Sequence, residues 1–256
     1  MTTFGGYARY YDLLYRDKPY SAEAAYVVEL ARRHGCAVES VLELGVGTGG
    51  HSVHFLELAD RVDGVDLSAE MLVAAEARRR ALPPAVGDRL TLYEGDVRDV
   101  RLGRQFSLVV SMFHVMSYQR TNESLMAAFR TARAHLNPGG LLIFDFWHGP
   151  GVLSDPPAVR VRRLRDEYTE VERIAEPVLR PRENVVDVNY SIRVTDLHTS
   201  AAELIVEKHE MRYYFEPELM HMLTLESFEH VETVSWLTHD SPSLRDWTAA
   251  IVARAV

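Results

Sequence analysis

The sequence of 256 residues contains a single cysteine, Cys36, which excludes an intrachain disulfide and any multi-cysteine metal site. It also lacks an apolar run near the roughly 18 to 20 residues that span a bilayer, and residues 1–20 are polar and tyrosine-rich, unlike a signal peptide. Basic residues are in the minority: 28 Lys and Arg face 37 Asp and Glu, so the phosphate-neutralising charge of a nucleic-acid binder is missing. We therefore expect a cytoplasmic protein that binds neither membranes nor nucleic acid.

The residues that are present predict alternating strands and helices. The predicted strands are 40–44, 62–66, 90–94, 107–111 and 141–146, and the predicted helices are 21–34, 50–59, 69–80 and 121–135. Ser21 and Ser68 are the predicted N-caps, and residues 137–140 form a turn before the last strand. Apolar strands separated by helices are typical of a parallel sheet covered on both faces. The fold class is therefore α/β, with a doubly wound, Rossmann-like, mostly parallel sheet.

A change of pattern after Trp147 indicates an insertion. Residues 149–157 are rich in glycine and proline, and residues 186–194 then alternate apolar and polar side chains, as do residues 209–215. We predict a small antiparallel sheet over roughly 158–215, followed by a helix at 218–228 and by strands that return to the main sheet. The predicted organisation is a helical lid at 1–34, a ligand-binding domain at 35–148 and 216–256, and an inserted sheet at 149–215 that forms a wall of the site.

A glycine-rich turn follows the first strand. Residues 41–49 read Val-Leu-Glu-Leu-Gly-Val-Gly-Thr-Gly, a strand that leads into a turn and then a helix. Gly45, Gly47 and Gly50 also satisfy G-x-G-x-x-G, the dinucleotide-binding pattern in which the glycines let the backbone approach a pyrophosphate. That pattern alone is weak, so a nicotinamide-dependent oxidoreductase stays open as an alternative.

Three acidic residues accompany the first three strands. Glu43 precedes the glycine turn, Asp66 ends the second strand 21 residues after Gly45, and Asp96 follows the third. An acid after the second strand can accept hydrogen bonds from both ribose hydroxyls, and an acid after the third can accept from an adenine amino group. The three acids favour a nucleoside-containing ligand.

With these segments the chain resembles class I S-adenosylmethionine (SAM) dependent methyltransferases over about residues 35–147. The matching motifs are Glu-Leu-Gly-Val-Gly-Thr-Gly at 43–49, Val-Asp-Leu-Ser at 65–68, Glu-Gly-Asp-Val at 94–97 and Asn-Pro-Gly-Gly at 137–140. The resemblance implies that SAM is the cofactor, that S-adenosylhomocysteine is the product, and that Glu43 lies near the methionyl group. The cofactor-binding residues that we predict are Tyr20, Glu43, Gly45, Gly47, Asp66, Leu67, Met71, Asp96, Val97 and Met112.

Over nearly the whole chain the sequence is similar to small-molecule N-methyltransferases of antibiotic and deoxyamino-sugar biosynthesis, including those that act on lincosamide-type conjugates. The residues that carry this similarity are 10–15 with 18–20, 102–107, 111–113 and the insertion after Trp147. It implies an N-terminal lid that contributes tyrosines to the site. Residues 114–118 are bulkier than the small-residue run of the sugar-nucleotide members, which weighs against a nucleotide-sugar acceptor.

Five tyrosines between positions 7 and 20 either pack as one face of a helix or line a site that holds cations. The sulfonium of SAM and a methylated ammonium are both positive, and an aromatic face stabilises such a cation by roughly 0.5 to 2 kcal/mol. The predicted catalytic residues are Tyr11, Tyr15, Phe113 and Tyr118, and the predicted substrate-binding residues are Tyr7, His114, Trp147 and His148.

We therefore expect methyl transfer from SAM to the amine of a small, sugar-containing natural-product precursor. One alternative is an O- or C-methyltransferase in which His114 is the general base. A SAM-binding protein without turnover is another. No His-x-x-x-His pair accompanies the carboxylates, so no metal site is predicted. The sequence leaves open whether the chain forms a homo-oligomer.

Overall fold

A computed structural model describes residues 8–256, and its centre is a parallel sheet. The parallel strands are β1 (Ser40–Leu44), β2 (Arg61–Asp66), β3 (Leu90–Glu94), β4 (Phe106–Ser111) and β5 (Leu136–His148), and they lie in the order β3-β2-β1-β4-β5. The last two strands of the chain complete the sheet: β11 (Thr248–Ala255) pairs antiparallel with β5, and β10 (Phe228–Ser235) pairs antiparallel with β11. The predicted α/β, doubly wound fold is confirmed.

Helices cover both faces of this sheet. They are α1 (Ala8–Leu14), α2 (Tyr20–Arg33), α3 (Ser52–Phe55), α4 (Ala69–Arg80), α5 (Pro84–Gly87), α6 (Asn122–Ala134), α7 (Gly149–Ser154) and α8 (Glu216–Leu225), with a 3₁₀ helix at Val115–Tyr118. Side chains alternate along a strand, so β5 sends Phe144 into one core with Phe129 and sends Ile143 into the other core with Leu30. None of the helices in residues 8–256 is long and apolar enough to cross a membrane.

The insertion is a four-stranded antiparallel sheet. Its strands are β6 (Arg160–Arg165), β7 (Thr169–Arg180), β8 (Val185–Asp196) and β9 (Ala202–Tyr214). The last of these continues the main sheet by pairing Tyr213 and Tyr214 with the end of β5. Leu14 of α1 is fully buried in a cluster with Val171 and Ile192 of the insertion, so the N-terminal helix packs on the inserted sheet.

The structure corrects two predictions about helix ends near the site. Helix α2 begins at Tyr20 with Pro19 at the N-cap position, so Ser21 lies in the first turn and is not the cap. The helix predicted at 50–59 extends only over Ser52–Phe55. Beyond it the amide of Leu58 bonds to the carbonyl of Phe55, three residues back, which is the tighter spacing of a turn.

Two further boundaries differ from the prediction. Residues 137–140 are part of β5 and do not form a separate turn before it. They form a bulge, because Leu136 pairs with Phe106 of β4 and the next paired residue, Leu141, pairs with Leu108. The helix predicted at 218–228 ends at Leu225, because Ser227 has a positive φ of 62° and Phe228 already pairs with Ala255.

Candidate active site

The carboxyl ends of β1, β2 and β3 bring the glycine turn and the predicted acids to one edge of the sheet. Asp66 accepts a hydrogen bond from the amide of Gly47 at 2.7 Å and a second from the amide of Ser68 at 2.9 Å, one on each carboxylate oxygen. Burial, opposed by these hydrogen bonds, raises the pKa of Asp66. Because each carboxylate oxygen has two acceptor positions, Asp66 retains one on each for the two hydroxyls of a ribose.

The glycine turn depends on two close approaches. Gly45 has a φ of +83°, and a Cβ atom there would lie 2.5 Å from a methyl carbon of Val115. A Cβ at Gly50 would lie 2.7 Å from the ring of Tyr20. Gly50 is therefore required because an aromatic side chain covers the turn, and not because the backbone approaches a pyrophosphate.

The hydroxyl of Tyr20 is buried, and no described residue forms a hydrogen bond with it. Burial is the main cause of the raised pKa of Tyr20, so this phenol remains a donor. A buried polar group without a partner calls for one, and the carboxylate of a methionyl group is an acceptor of suitable chemistry. The residues around the turn therefore fit SAM: Asp66 for the ribose and Tyr20 for the amino-acid end.

Replacing Tyr20 by Phe should raise the KM for SAM by about 2- to 10-fold with little change in stability, since one hydrogen bond contributes roughly 0.5 to 1.5 kcal/mol. Initial rates at varied SAM concentration measure this effect. Tyr26→Phe is a matched control, because its hydroxyl bonds the backbone carbonyl of Thr238, away from the turn. An unchanged KM in Tyr20→Phe would remove the hydroxyl from the cofactor site.

A buried group of charges lies behind the turn. His51 Nε2 lies 2.6 Å from a carboxylate oxygen of Glu23, and its Nδ1 lies 3.6 Å from Glu43. Glu43 also accepts from Ser52 at 2.5 Å, and Lys18 pairs with Glu23. Burial alone would lower the pKa of His51, but the two carboxylates outweigh it, and the pKa of His51 is raised. Burial alone would raise the pKa of Glu23, but His51 and Lys18 outweigh it, and the pKa of Glu23 is lowered. The cluster holds Glu43 beside the glycine turn.

The predicted aromatic residues form a continuous series of ring contacts. Tyr11 and Tyr15 lie 4.7 Å apart, Tyr15 contacts Phe113 edge-on at 5.0 Å, and Phe113 contacts His114 at 5.5 Å. His114 in turn contacts Trp147 at 6.1 Å. The N-terminal segment and the carboxyl ends of β4 and β5 thus bring five of the predicted site residues into one group: Tyr11, Tyr15, Phe113, His114 and Trp147.

Asp145 fixes the position of His114. Phe113 and His114 both adopt positive φ values, 65° and 63°, which are uncommon for residues other than glycine. Asp145 Oδ1 accepts the backbone amide of His114 at 2.9 Å, and Oδ2 lies 2.8 Å from its ring Nδ1. Burial raises the pKa of Asp145, but the contacts with His114 outweigh it and lower the pKa. The ammonium of Lys18 lies 4.0 Å from the ring centre of Phe113, so this ring already holds a cation.

The inserted sheet adds polar groups to the same region. The hydroxyl of Tyr118 lies 2.7 Å from Nδ1 of His209, and Nε2 of that histidine lies 3.0 Å from Glu207. Arg173 donates to the hydroxyl of Tyr15 at 2.9 Å. Sequence reasoning did not identify His209, Glu207 or Arg173, because each depends on a strand pairing that the sequence does not specify.

The remaining predicted residues lie outside this group. His148 is on the opposite face of β5 from Asp145 and Trp147, and its Nδ1 contacts the carbonyl of Asp246. Met71, Val97 and Met112 have buried side chains, and Leu67 is 68% exposed beside the ribose position. Asp96 accepts from Arg98. Tyr7 lies outside the described residues.

The chain matches a known protein family and is similar to several known proteins. Residues 41–140 match a family described as a methyltransferase domain. The chain is 35% identical over 212 residues to dTDP-3-amino-3,4,6-trideoxy-alpha-D-glucopyranose N,N-dimethyltransferase of Streptomyces venezuelae, covering 81% of this chain and 86% of the relative. It is 33% identical to dTDP-3-amino-3,6-dideoxy-alpha-D-glucopyranose N,N-dimethyltransferase of Streptomyces fradiae, covering 75% and 72%. The crystal structure of Streptomyces venezuelae DesVI superposes with a TM-score of 0.80 at 29% identity and covers 98% of both chains.

Proposed function

Because the chain belongs to the class I SAM-dependent methyltransferases that include the dTDP-amino-sugar N,N-dimethyltransferases, we propose that it methylates the amine of a dTDP-linked deoxyamino sugar twice. The protein is a SAM-dependent N-methyltransferase for a small amine. The proposal is best supported by two features that lie at the same edge of the sheet. One is the glycine turn with Asp66, and the other is the aromatic series from Tyr11 to Trp147.

Bound SAM supplies a methyl group on a positively charged sulfur. The chain's contribution is to bind and align the two reactants, because a neutral amine already carries the lone pair that attacks. Alignment contributes up to roughly 7 to 11 kcal/mol in favourable cases. Asp66 would hold the ribose and Tyr20 the amino-acid end. The ring of Tyr15, and the face of the Phe113 ring that Lys18 does not cover, would stabilise the reacting cations without offering a competing nucleophile.

The large side chains of residues 114–118 are a weaker argument against a nucleotide-sugar acceptor than the sequence alone suggests. Val115 packs over Gly45, and Met116 is fully buried in the core beside the main sheet. Only part of this segment, His114 and Tyr118, therefore joins the aromatic group. Three relatives whose names specify dTDP-linked amino sugars favour that class of acceptor.

The acceptor is tested by incubating the protein with SAM and dTDP-3-amino-3,4,6-trideoxyglucose and recording product masses over time. We expect a mono-methylated species that accumulates and is then consumed to give a dimethylated one. A lincosamide-type amino-sugar conjugate is assayed in parallel, since it is the other acceptor class that the sequence favours. Methylation of the conjugate alone would replace the proposed substrate.

The His114–Asp145 pair supports a second candidate, transfer to a hydroxyl, because an oriented histidine is a suitable general base. A hydroxyl acceptor must lose its proton as the methyl moves, whereas an amine needs no such base at that moment. His114→Gln would then abolish methylation of the hydroxyl acceptor at neutral pH. The dTDP-sugar that carries a hydroxyl in place of the amine is the acceptor to compare.

A further inference from the structure

We propose that Tyr118, His209 and Glu207 form a proton relay that takes the proton from the bound acceptor ammonium before each methyl transfer. This inference rests on the proposed function, since it concerns an amine acceptor. It assigns a role to a buried hydrogen-bonded chain that binding of SAM does not explain.

The need for such a relay follows from the chemistry of amines. Amines of the usual basicity are mostly protonated near neutral pH, and a protonated nitrogen has no lone pair for attack. The first transfer, moreover, leaves a methylated ammonium that still carries protons. Two successive transfers therefore require a proton to leave the nitrogen each time, inside a site built to stabilise cations.

The geometry provides a connected path. The Tyr118 hydroxyl donates to His209 Nδ1 at 2.7 Å when Nε2 carries the ring proton, and Nε2 then donates to Glu207 at 3.0 Å. His209 is only 3% exposed, and the ring of Tyr190 packs edge-on against it at 4.9 Å, which fixes its plane. Tyr118 packs in the same apolar cluster as Trp147, so the path begins beside the aromatic series.

The proton balance is simple. The ammonium gives one proton to the oxygen of Tyr118 while the phenolic proton of Tyr118 moves to His209 Nδ1. His209 becomes an imidazolium, and the carboxylate of Glu207 stabilises it. Tyr118 ends as it began, the acceptor nitrogen gains its lone pair, and the proton rests on His209 beside Glu207, whose side chain is 9% exposed. Burial raises the pKa of Tyr118, so the phenol passes the proton on and is not itself the final acceptor.

Among the described residues, charged and titratable groups surround the relay from several elements. They are Glu207 on β9, Tyr190 on β8, Arg173 on β7, Arg160 on β6, Tyr15 just after α1 and Asp66 at the end of β2. The two arginines disfavour a further positive charge, and the two carboxylates favour one. The carboxylate of Glu207 is in direct contact with the ring of His209, at 3.0 Å from Nε2.

The test compares the pH dependence of kcat/KM for dTDP-3-amino-3,4,6-trideoxyglucose at saturating SAM in the wild type and in His209→Gln. We expect the variant rate to fall about tenfold for each pH unit below the pKa of the acceptor amine, because only free amine then reacts. The wild type should be nearly flat over the same range, and the two should converge above that pKa. His34→Gln is the control, since it removes a histidine–glutamate pair far from the site.

A purely structural role predicts something different. A His209→Gln profile that runs parallel to the wild type at all pH values would overturn the relay, whatever the size of the loss. Tyr118→Phe should show the same steep profile as His209→Gln, and a flat one would exclude Tyr118 as the first acceptor. Calorimetric SAM binding identifies a misfolded variant, in which case Tyr118→Phe and Glu207→Gln carry the test. Failure of the proposed function is separate, because wild-type protein would then leave the acceptor unmethylated.

Discussion

Replacement of Asp66 by Asn is expected to weaken SAM binding by about 100-fold or more. Two ribose hydroxyls would each lose a hydrogen bond to a charged acceptor, worth roughly 1.5 to 3 kcal/mol apiece, and each 1.4 kcal/mol is about a tenfold change in affinity. In the wild type the two carboxylate oxygens accept hydrogen bonds from the backbone N–H groups of Gly47 and Ser68. The side-chain NH₂ of asparagine would face one of these N–H groups, so that two donors would oppose each other. The glycine turn should therefore lose order together with affinity.

Isothermal calorimetry with SAM and S-adenosylhomocysteine measures this loss directly. Asp60→Asn is the matched control, because Asp60 is exposed and lies just before β2, at the opposite edge of the sheet from Asp66. NAD is titrated in the same buffer to test the oxidoreductase alternative. Unchanged SAM affinity in Asp66→Asn would exclude this carboxylate from the site.

His51→Gln is expected to lower the free energy of unfolding by about 3 to 5 kcal/mol. Removing one partner of a buried ion pair leaves the other charge uncompensated, and here two carboxylates, Glu23 and Glu43, face the same ring. Lys18 would still pair with Glu23 but does not contact Glu43 through any described salt bridge. SAM binding should weaken as well, because Glu43 would lose the group that holds it beside the turn.

The size of this loss depends on pH in a defined direction. The pKa of His51 is raised above its usual 6.5, so its contribution is complete below pH 6.5 and is lost as the pH rises through the folded-state value. The pKa of Glu23 is lowered from 4.5, so its contribution is present above pH 4.5 and is lost as the pH falls through its folded-state value. The difference in the free energy of unfolding between wild type and variant is therefore largest between pH 4.5 and 6.5.

Urea unfolding at a series of pH values measures this difference. His230→Gln is the control, since His230 is partly exposed on β10 and bonds to Thr233. A difference that stays constant with pH would mean that His51 contributes by packing and not by its charge.

The parts of the site that the sequence predicts well are those encoded by short segments. The Gly45 turn and Asp66 each follow an apolar strand directly, and the carboxyl ends of parallel strands necessarily meet at one edge. Tyr15 is predicted from the tyrosine cluster together with the family resemblance, and Phe113 from the resemblance of residues 111–113; the structure places their rings in contact. Their roles as catalytic residues stay predictions until variants are measured.

The parts that the sequence does not predict depend on long-range pairing. His51 meets Glu23 across 28 residues, and Tyr118 meets His209 across 91, on an insertion whose strand register no local pattern fixes. One signal was available: Asp145 is the one acidic residue in the apolar run 141–146. An acid in a buried strand needs a partner, and that partner is His114.

Transfer of the methyl group to nitrogen is established by locating the methyl group in the product. The protein is incubated with dTDP-3-amino-3,4,6-trideoxyglucose and SAM that carries an isotope-labelled methyl group, and the product is analysed by two-dimensional NMR. We expect the labelled methyl protons to correlate with the sugar carbon that bears the amine. A correlation with a carbon that bears a hydroxyl, or with a ring carbon bonded directly to the methyl, would contradict it.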